Sequence, residues 1–387
     1  MFAGAALVVA CGDDGDGASA PSTPPSTPVF TKAELVIGNV GLYTGPFGPQ
    51  YQAGPDALNA WTQWVNAHGG INGHPVRVVV RNDDGDPAKA ITAVKELVEI
   101  EHVVALVGNN AGATDSTWRA YVEEKGIPVI GGLTLTQSFG TSPMFFPASS
   151  NLVGFVASQV NAAKLSRKKT LGAVVCAERA SCQQSIPIAE AAAIKAGLKF
   201  GGAQTVLASS PNFNTQCRSL KDLDVDVLNV NTAGPVIERF VKDCDKLGYK
   251  PTYIFPGGAF QPSLIDDVAE GAYVVSGGPL WFGDQPNHKD FIEALKQYTK
   301  TEPDGFATRA WQAALLFGAA AANVSDNPTA AEVLEGLYSL KGETLGGWSV
   351  PLTFARGKGN SIGTCDWIAQ VKDSKLTAPF GYDPVCA

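Results

Sequence analysis

The feature that most constrains this chain is a rhythm of short apolar runs alternating with helical periods, and it occurs twice. Residues 35–40, 76–80, 103–107 and 127–130 are brief Val/Ile/Leu-rich runs. Runs of this length bounded by turn signals read as buried strands. Between them lie helical stretches. In one, Ala57, Leu58, Trp61, Trp64 and Val65 fall near helical spacing, which gives one apolar face. A second opens at Asp86-Pro87, an N-cap followed by proline in the first turn, and runs through Glu99. A third spans 115–125. The rhythm restarts with strands expected over 170–176, 200–206, 225–230 and 252–255, and helices over 185–196, 213–223 and 236–247. A later strand at 273–276 follows, then helices at 290–298, 308–322 and 329–338, and terminal strands at 348–354 and 365–371. Strands separated by helices imply parallel sheets covered on both faces. The fold class expected is therefore α/β, with two Rossmann-like lobes.

Composition removes several function classes. The chain has 387 residues, 17% of them charged, and a formal net charge of −8 with only 29 Lys+Arg. Nucleic-acid binding needs clustered cations against phosphates, so no nucleic-acid partner is expected. Beyond the N-terminus there is no apolar run of ~18 residues.

The N-terminus carries its own signal. Residues 1–10 are apolar and uncharged and end at Cys11. Val8-Val9-Ala10-Cys11 resembles the bacterial lipobox, whose cysteine is lipidated and becomes the mature N-terminus. The basic region that opens an export signal is missing, so residues 1–10 read as a signal remnant whose true start lies upstream. The alternative is a short apolar start with a chance cysteine. Residues 12–31 are Gly/Asp/Ser and then Pro/Ser/Thr, too polar to bury a core, so 11–34 reads as a lipidated cysteine and a disordered tether. The expected location is the outer face of the cell membrane, held by that lipid.

Six cysteines remain. An even number in an exported chain points to disulfides, and proximity favours Cys176–Cys182, Cys217–Cys244 and Cys365–Cys386. Free buried thiols are the alternative. No C-x-x-C spacing occurs and the chain has four His, so no metal site and no cofactor are expected. His68, His74 and His102 read as surface residues.

Longer runs carry a family resemblance. Gly41-Leu42-Tyr43-Thr44-Gly45-Pro46 is followed by Trp64-Val65-Asn66-Ala67-His68-Gly69-Gly70-Ile71-Asn72-Gly73-His74-Pro75-Val76. Then come Asn82-Asp83-Asp84-Gly85-Asp86-Pro87-Ala88-Lys89-Ala90, Ala105-Leu106-Val107-Gly108 and Glu123-Glu124-Lys125-Gly126-Ile127-Pro128-Val129-Ile130. In this order and spacing the chain resembles the type I periplasmic binding proteins of the branched-chain amino acid and amide class. The resemblance implies a hinge of three crossings, at 146–149, 276–279 and 356–359. Lobe 1 would then comprise 35–148 plus 278–357, and lobe 2 would comprise 149–277 plus 358–387.

Ligands in open α/β sheets sit outside the carboxyl ends of the strands, which places the site on nameable loops. Phe47 in the first loop matches an aromatic position that lines the family's cleft; a turn residue packing on its own lobe is the alternative. Asn110, Ala111, Gly112 and Ala113 precede a helix, where backbone N–H groups suit a carboxylate. Thr134 or Thr136 matches the family's ligand-binding threonine, with the register open by two residues. From lobe 2 the candidates are Asn151, Ser181, Thr232, Gly258 and Phe260. Amino-acid-binding relatives place an acid near Gly257 to meet the ligand ammonium, and here residues 256–260 read PGGAF. A buried ammonium without a counter-charge is costly. The expected ligand is therefore a carboxylate or neutral polar molecule with an apolar part.

No G-x-S-x-G elbow, H-E-x-x-H or Walker A loop occurs, so no enzyme activity is expected. Asp83-Asp84 reads as the end of a strand and the cap of a turn rather than as a metal or acid/base pair. The reading is a monomeric capture protein that delivers a small molecule to an ABC permease/ATPase complex. The alternative is a sensor that shows its closed form to a membrane receptor.

Overall fold

The computed structural model describes residue 1 and residues 28–45, 48–260, 262–265, 269–360 and 363–387. Cys11, the rest of the apolar start, most of the tether and Phe47 lie outside the described residues.

The first half runs β1 (Leu35–Gly41), α1 (Gly48–Tyr51), α2 (Ala53–Ala67), β2 (Val76–Asn82) and α3 (Pro87–Glu99). It continues through β3 (Ala105–Val107), α4 (Asp115–Lys125), β4 (Val129–Ile130), α5 (Gln137–Thr141) and β5 (Phe145–Phe146). All five strands are parallel, in the order β2-β1-β3-β4-β5. Local chemistry sets the element ends. The Asp86 carboxylate accepts from the backbone N–H groups of Ala88 (2.8 Å) and Lys89 (2.9 Å), which starts α3 as the Asp-Pro pair predicts. Gly126 ends α4 with φ +67°, a conformation that a Cβ would disfavour.

The second half repeats the plan. It comprises α6 (Leu152–Leu165), β6 (Thr170–Cys176), α7 (Ala180–Lys195), β7 (Lys199–Val206), α8 (Asn214–Asp222), β8 (Val227–Asn231), α9 (Gly234–Lys246), β9 (Thr252–Pro256) and β10 (Tyr273–Ser276). These strands are also parallel, in the order β7-β6-β8-β9-β10. In each half the second strand flanks the first and the third lies on its other side. Strand order reverses there, and a crevice opens at the carboxyl ends.

The C-terminal third is shared out. Helices α10 (Lys289–Tyr298), α11 (Gly305–Ala320) and α12 (Ala330–Ser339), with β11 (Lys341–Glu343) and β12 (Leu352–Thr353), return to the first half. Their residues Phe291, Trp311, Phe317, Leu337 and Phe354 belong to one apolar core with Leu35, Ile37, Trp61 and Phe146. Strands β13 (Cys365–Lys372), β14 (Lys375–Thr377) and β15 (Val385–Cys386) extend the second sheet, where β13 lies antiparallel to β10. The passages between halves are laced together. The Ser150 hydroxyl donates to Asp366 at 2.6 Å, the Ser349 hydroxyl to the Ala148 carbonyl at 2.9 Å, and the Asn360 amide to the Phe145 carbonyl at 3.0 Å.

The three disulfides are Cys176–Cys182, Cys217–Cys244 and Cys365–Cys386, the pairing expected from proximity. Other expectations need correction. The stretch 348–354 is a strand only at Leu352–Thr353, because Trp348 turns inward and stacks on His288 with ring centroids 4.4 Å apart. Helix α7 begins at Ala180 rather than at 185, so Pro187 sits inside it instead of in its first turn. His74 is buried, not at the surface, with Nδ1 2.6 Å from the Ala33 carbonyl. Among the described residues no helix is long and apolar enough to cross a membrane.

Candidate functional site

The loops at the carboxyl ends of both sheets face each other across one cavity of about 110 Å³, open to solvent. Small-molecule sites are concave and mostly apolar, with a few placed polar groups. From the first half come Gln50 and Tyr51 after β1, Gly112 after β3, and Leu133, Leu135 and Thr136 after β4. From the second come Glu178 and Arg179 after β6, Asn231 and Thr232 at the end of β8, and Gly258 after β9. Leu152, Phe155 and Val156 of α6 supply apolar wall, as does Phe306 of α11; Arg309 of α11 also lines the space. A smaller recess of about 10 Å³ adjoins it, lined by Asp83, Asn110, Ala111 and Ala113, and shares Tyr51, Gly112, Leu133 and Arg179 with the main cavity.

Hydrogen bonds cross between the halves at the rim of the cleft. Arg179 donates to the Tyr51 hydroxyl, and its guanidinium lies 5.2 Å from the centroid of the Tyr51 ring. The Gly234 backbone N–H donates to the Gln50 side chain at 3.0 Å. The cleft is thus held partly shut by groups on its own rim.

Of the residues predicted from sequence, Gly112, Thr136, Ser181, Thr232 and Gly258 line the main cavity, and Asn110, Ala111 and Ala113 line the adjoining recess. Three are placed elsewhere. Thr134 is fully buried and gives its hydroxyl to the Ser150 carbonyl at 2.6 Å, inside the crossing region. Asn151 caps α6 by accepting from the Gly154 N–H at 3.0 Å. Phe260 packs in the second core beside Phe255, with ring centroids 6.1 Å apart. Phe47 lies outside the described residues. Of the two threonines, Thr136 is the one at the cavity, and its hydroxyl donates to the buried Asp115 carboxylate.

Sequence reasoning missed Gln50, Tyr51, Phe155, Arg179, Phe306 and Arg309. Arg309 left a signal, since it is the only charge between residues 305 and 325.

Charge in the cavity is sparse. Its lining holds two cations, Arg179 and Arg309, and one carboxylate, Glu178. Glu178 turns to the Ala208 N–H at 2.7 Å. Arg309 is 5% exposed, and its Nε has no hydrogen-bond partner. Burial pushes its guanidinium below the usual range, against a weaker pull upward from Asp366. Asp366 is itself raised by burial, and Ser150 donates to it. Thr232 is 8% exposed and its hydroxyl is also unpartnered. Asp83 accepts from the Gly85 N–H (2.8 Å) and from the Thr114 hydroxyl (2.6 Å), the turn-capping role expected of it. Among the described residues no group of three or more His, Cys, Asp or Glu side chains is placed to hold a metal.

Two α/β lobes of the same strand order, closed over a cleft at their switch points, define a two-lobed solute-binding protein. Comparison with known proteins agrees. The periplasmic binding protein family profile matches residues 34–375. The Leu/Ile/Val-binding protein of Escherichia coli (strain K12) is 26% identical over 355 residues, covering 87% of this chain and 91% of that protein. A branched chain amino acid ABC transporter structure from Thermus thermophilus, with bound valine, shares the fold at TM-score 0.78 and 18% identity over 93% of this chain and 98% of that one. A solute binding protein of an ABC transporter from R. palustris, in complex with benzoate, does so at TM-score 0.73 and 17% identity over 92% and 98%. The chain belongs to the periplasmic binding protein family, in its type I, branched-chain amino acid class. That is a family of extracytoplasmic solute-binding proteins rather than of enzymes.

Proposed function

We propose that this protein captures a small organic ligand, a carboxylate or a neutral polar molecule with an apolar part, and delivers it to an ABC importer. The observation that carries the reading is the cleft itself, lined from both lobes and walled by Leu133, Leu135, Phe155 and Phe306. Lobe 1 is assigned to 35–148 plus 278–357, and lobe 2 to 149–277 plus 358–387. The division is supported by the core that residues 291–354 share with the first sheet and by β13–β15 joining the second. The ligand reading is supported by the backbone after β9, where Gly257 and Gly258 stand with no acid to receive an ammonium. Relatives of this fold have been solved with an amino acid and with an aromatic acid, so the architecture tolerates both chemistries. The protein acts as a monomer, tethered by lipid at Cys11.

The test is a thermal-shift screen of carboxylic acids, amides, sugars and amino acids. A ligand at 100 times its dissociation constant stabilises by about 2.7 kcal/mol, a readily measured shift. Carboxylates or amides should give the largest shifts. If leucine, isoleucine and valine gave them instead, the argument from the missing acid would fail.

A further inference from the structure

We infer that Arg309 is the anion anchor of the cleft and that the ligand is an organic acid carrying no ammonium, its carboxylate seated on the Arg309 guanidinium and its apolar body against Phe155 and Phe306. The inference rests on the solute-capture reading and narrows its ligand class.

Arg309 belongs to α11, within the segment that returns to the first lobe, yet it reaches the floor of the cleft. A Cβ on Gly277 would stand 2.8 Å from its Nη2, so the guanidinium packs against the passage between lobes, where Gly277 carries no side chain. From the second lobe, the Phe155 ring lies beneath it, 5.8 Å from guanidinium to centroid. Arg309 therefore touches both the passage between the lobes and the second lobe.

Its electrostatic state is unusual. A buried guanidinium is normally matched by a carboxylate, because desolvation must be offset by hydrogen bonds and a counter-charge. Among the described residues Arg309 makes neither a hydrogen bond nor an ion pair, and its Nε is buried without a partner. Asp366 is the acid that pulls on it, a buried carboxylate whose Oδ1 accepts from Ser150 and whose Oδ2 has no hydrogen-bond partner, but no ion pair joins the two. The cavity supplies a second unmatched group from the opposite lobe, the Thr232 hydroxyl. An isolated buried donor array beside apolar wall fits a carboxylate, which accepts several donors at once. An ammonium beside Arg309 would add like charge, and the one carboxylate in the cleft lining, Glu178, is turned to the Ala208 N–H.

The test uses three probes of one shape, namely 4-methylpentanoate, its primary amide, and leucine, titrated calorimetrically into the full-length protein. The acid should bind at least about thirtyfold more tightly than the amide, the scale expected for breaking a buried charge-assisted pair. Arg309→Met should erase that preference, with acid and amide then agreeing within about threefold, and Arg309→Lys should retain part of it because the charge survives. Circular dichroism and melting temperature report whether the variants fold, and the acid-to-amide comparison on the native protein stands without them. Equal binding of acid and amide, or tightest binding of leucine, would overturn the anchor while leaving solute capture intact. Failure of every acid, amide, sugar and amino acid in the wider screen to bind would remove both.

Discussion

The Cys176–Cys182 disulfide spans only six residues of sequence, and both cysteines line the cleft. It joins the end of β6 to the first turn of α7 and so pins the loop that carries Glu178 and Arg179. Cys217–Cys244 spans 27 residues and ties α8 to α9 inside the second core, where both cysteines are fully buried. Chain-entropy arguments assign a short bridge less stability than a long one, about 2 kcal/mol against about 3.5 kcal/mol for these separations. Function should rank them the other way. Without the short bridge, Arg179 must be ordered each time it meets Tyr51, and ordering one residue costs about 1–2 kcal/mol, about five- to thirtyfold in Kd. Paired Cys→Ser variants of each bridge should therefore dissociate the two readouts. Denaturant unfolding should show the larger loss for the 217/244 pair, and calorimetric titration of the ligand found by screening should show the larger loss for the 176/182 pair. If removing the short bridge left affinity unchanged, or if the 217/244 variant lost as much affinity at equal folded fraction, the loop would not be held by its disulfide in the way argued.

Three further outcomes are expected. Tyr51→Phe removes the hydroxyl that receives Arg179; ligand affinity should fall about tenfold, on the scale of a charge-assisted hydrogen bond, chiefly through faster dissociation in stopped-flow traces. A side chain at Gly258 would stand 2.8 Å from the Phe306 ring, so Gly258→Val should force that ring to shift and lower affinity at least about tenfold with the protein still folded, as titration and circular dichroism would show. Burial pushes the Asp304 carboxyl up to about 6. An acid whose folded pKa lies above its unfolded value contributes stability below about pH 4 and loses it as pH rises through about 6, here by about 3 kcal/mol. Asp304→Asn keeps the cap of α11 without the charge, and melting temperatures between pH 4 and 8 should lose that part of their decline.

How far the sequence discloses this molecule follows from the range of the forces involved. Strands β1, β2 and β6 and helices α3 and α4 were legible because their signals are local: buried apolar runs, an Asp-Pro cap, a glycine stop. Helix α6 was not. Its Gly154, Phe155, Val156, Ser158, Gln159, Val160, Ala162 and Ala163 are all buried, so it lacks the polar face that marks a surface helix. The stretch 348–354 misled for the opposite reason. Its apolar residues serve an aromatic cluster in which Trp348, His288, Phe291 and Trp311 meet through segments far apart in sequence, and periodicity cannot report that.

The site divides along the same line. Which loops form it follows from strand order, so the turns after β1, β3, β4, β6, β8 and β9 were predictable as a set. Which side chain enters is decided over one or two residues by the direction the backbone leaves the strand. Thr134 and Thr136 differ by two positions, yet the first bonds into the crossing and the second lines the cleft. Arg309 comes from a helix that no strand-end rule selects. Yet a single charge in an apolar helix costs too much desolvation to persist without something to meet it. In α11 no protein group among the described residues hydrogen-bonds to Arg309 or forms an ion pair with it, Asp366 acting on it only through its charge, and Arg309 faces the cleft. A lone charge in an apolar helix is thus a site signal of its own, independent of the loops, and in this chain it bears most directly on the ligand's charge.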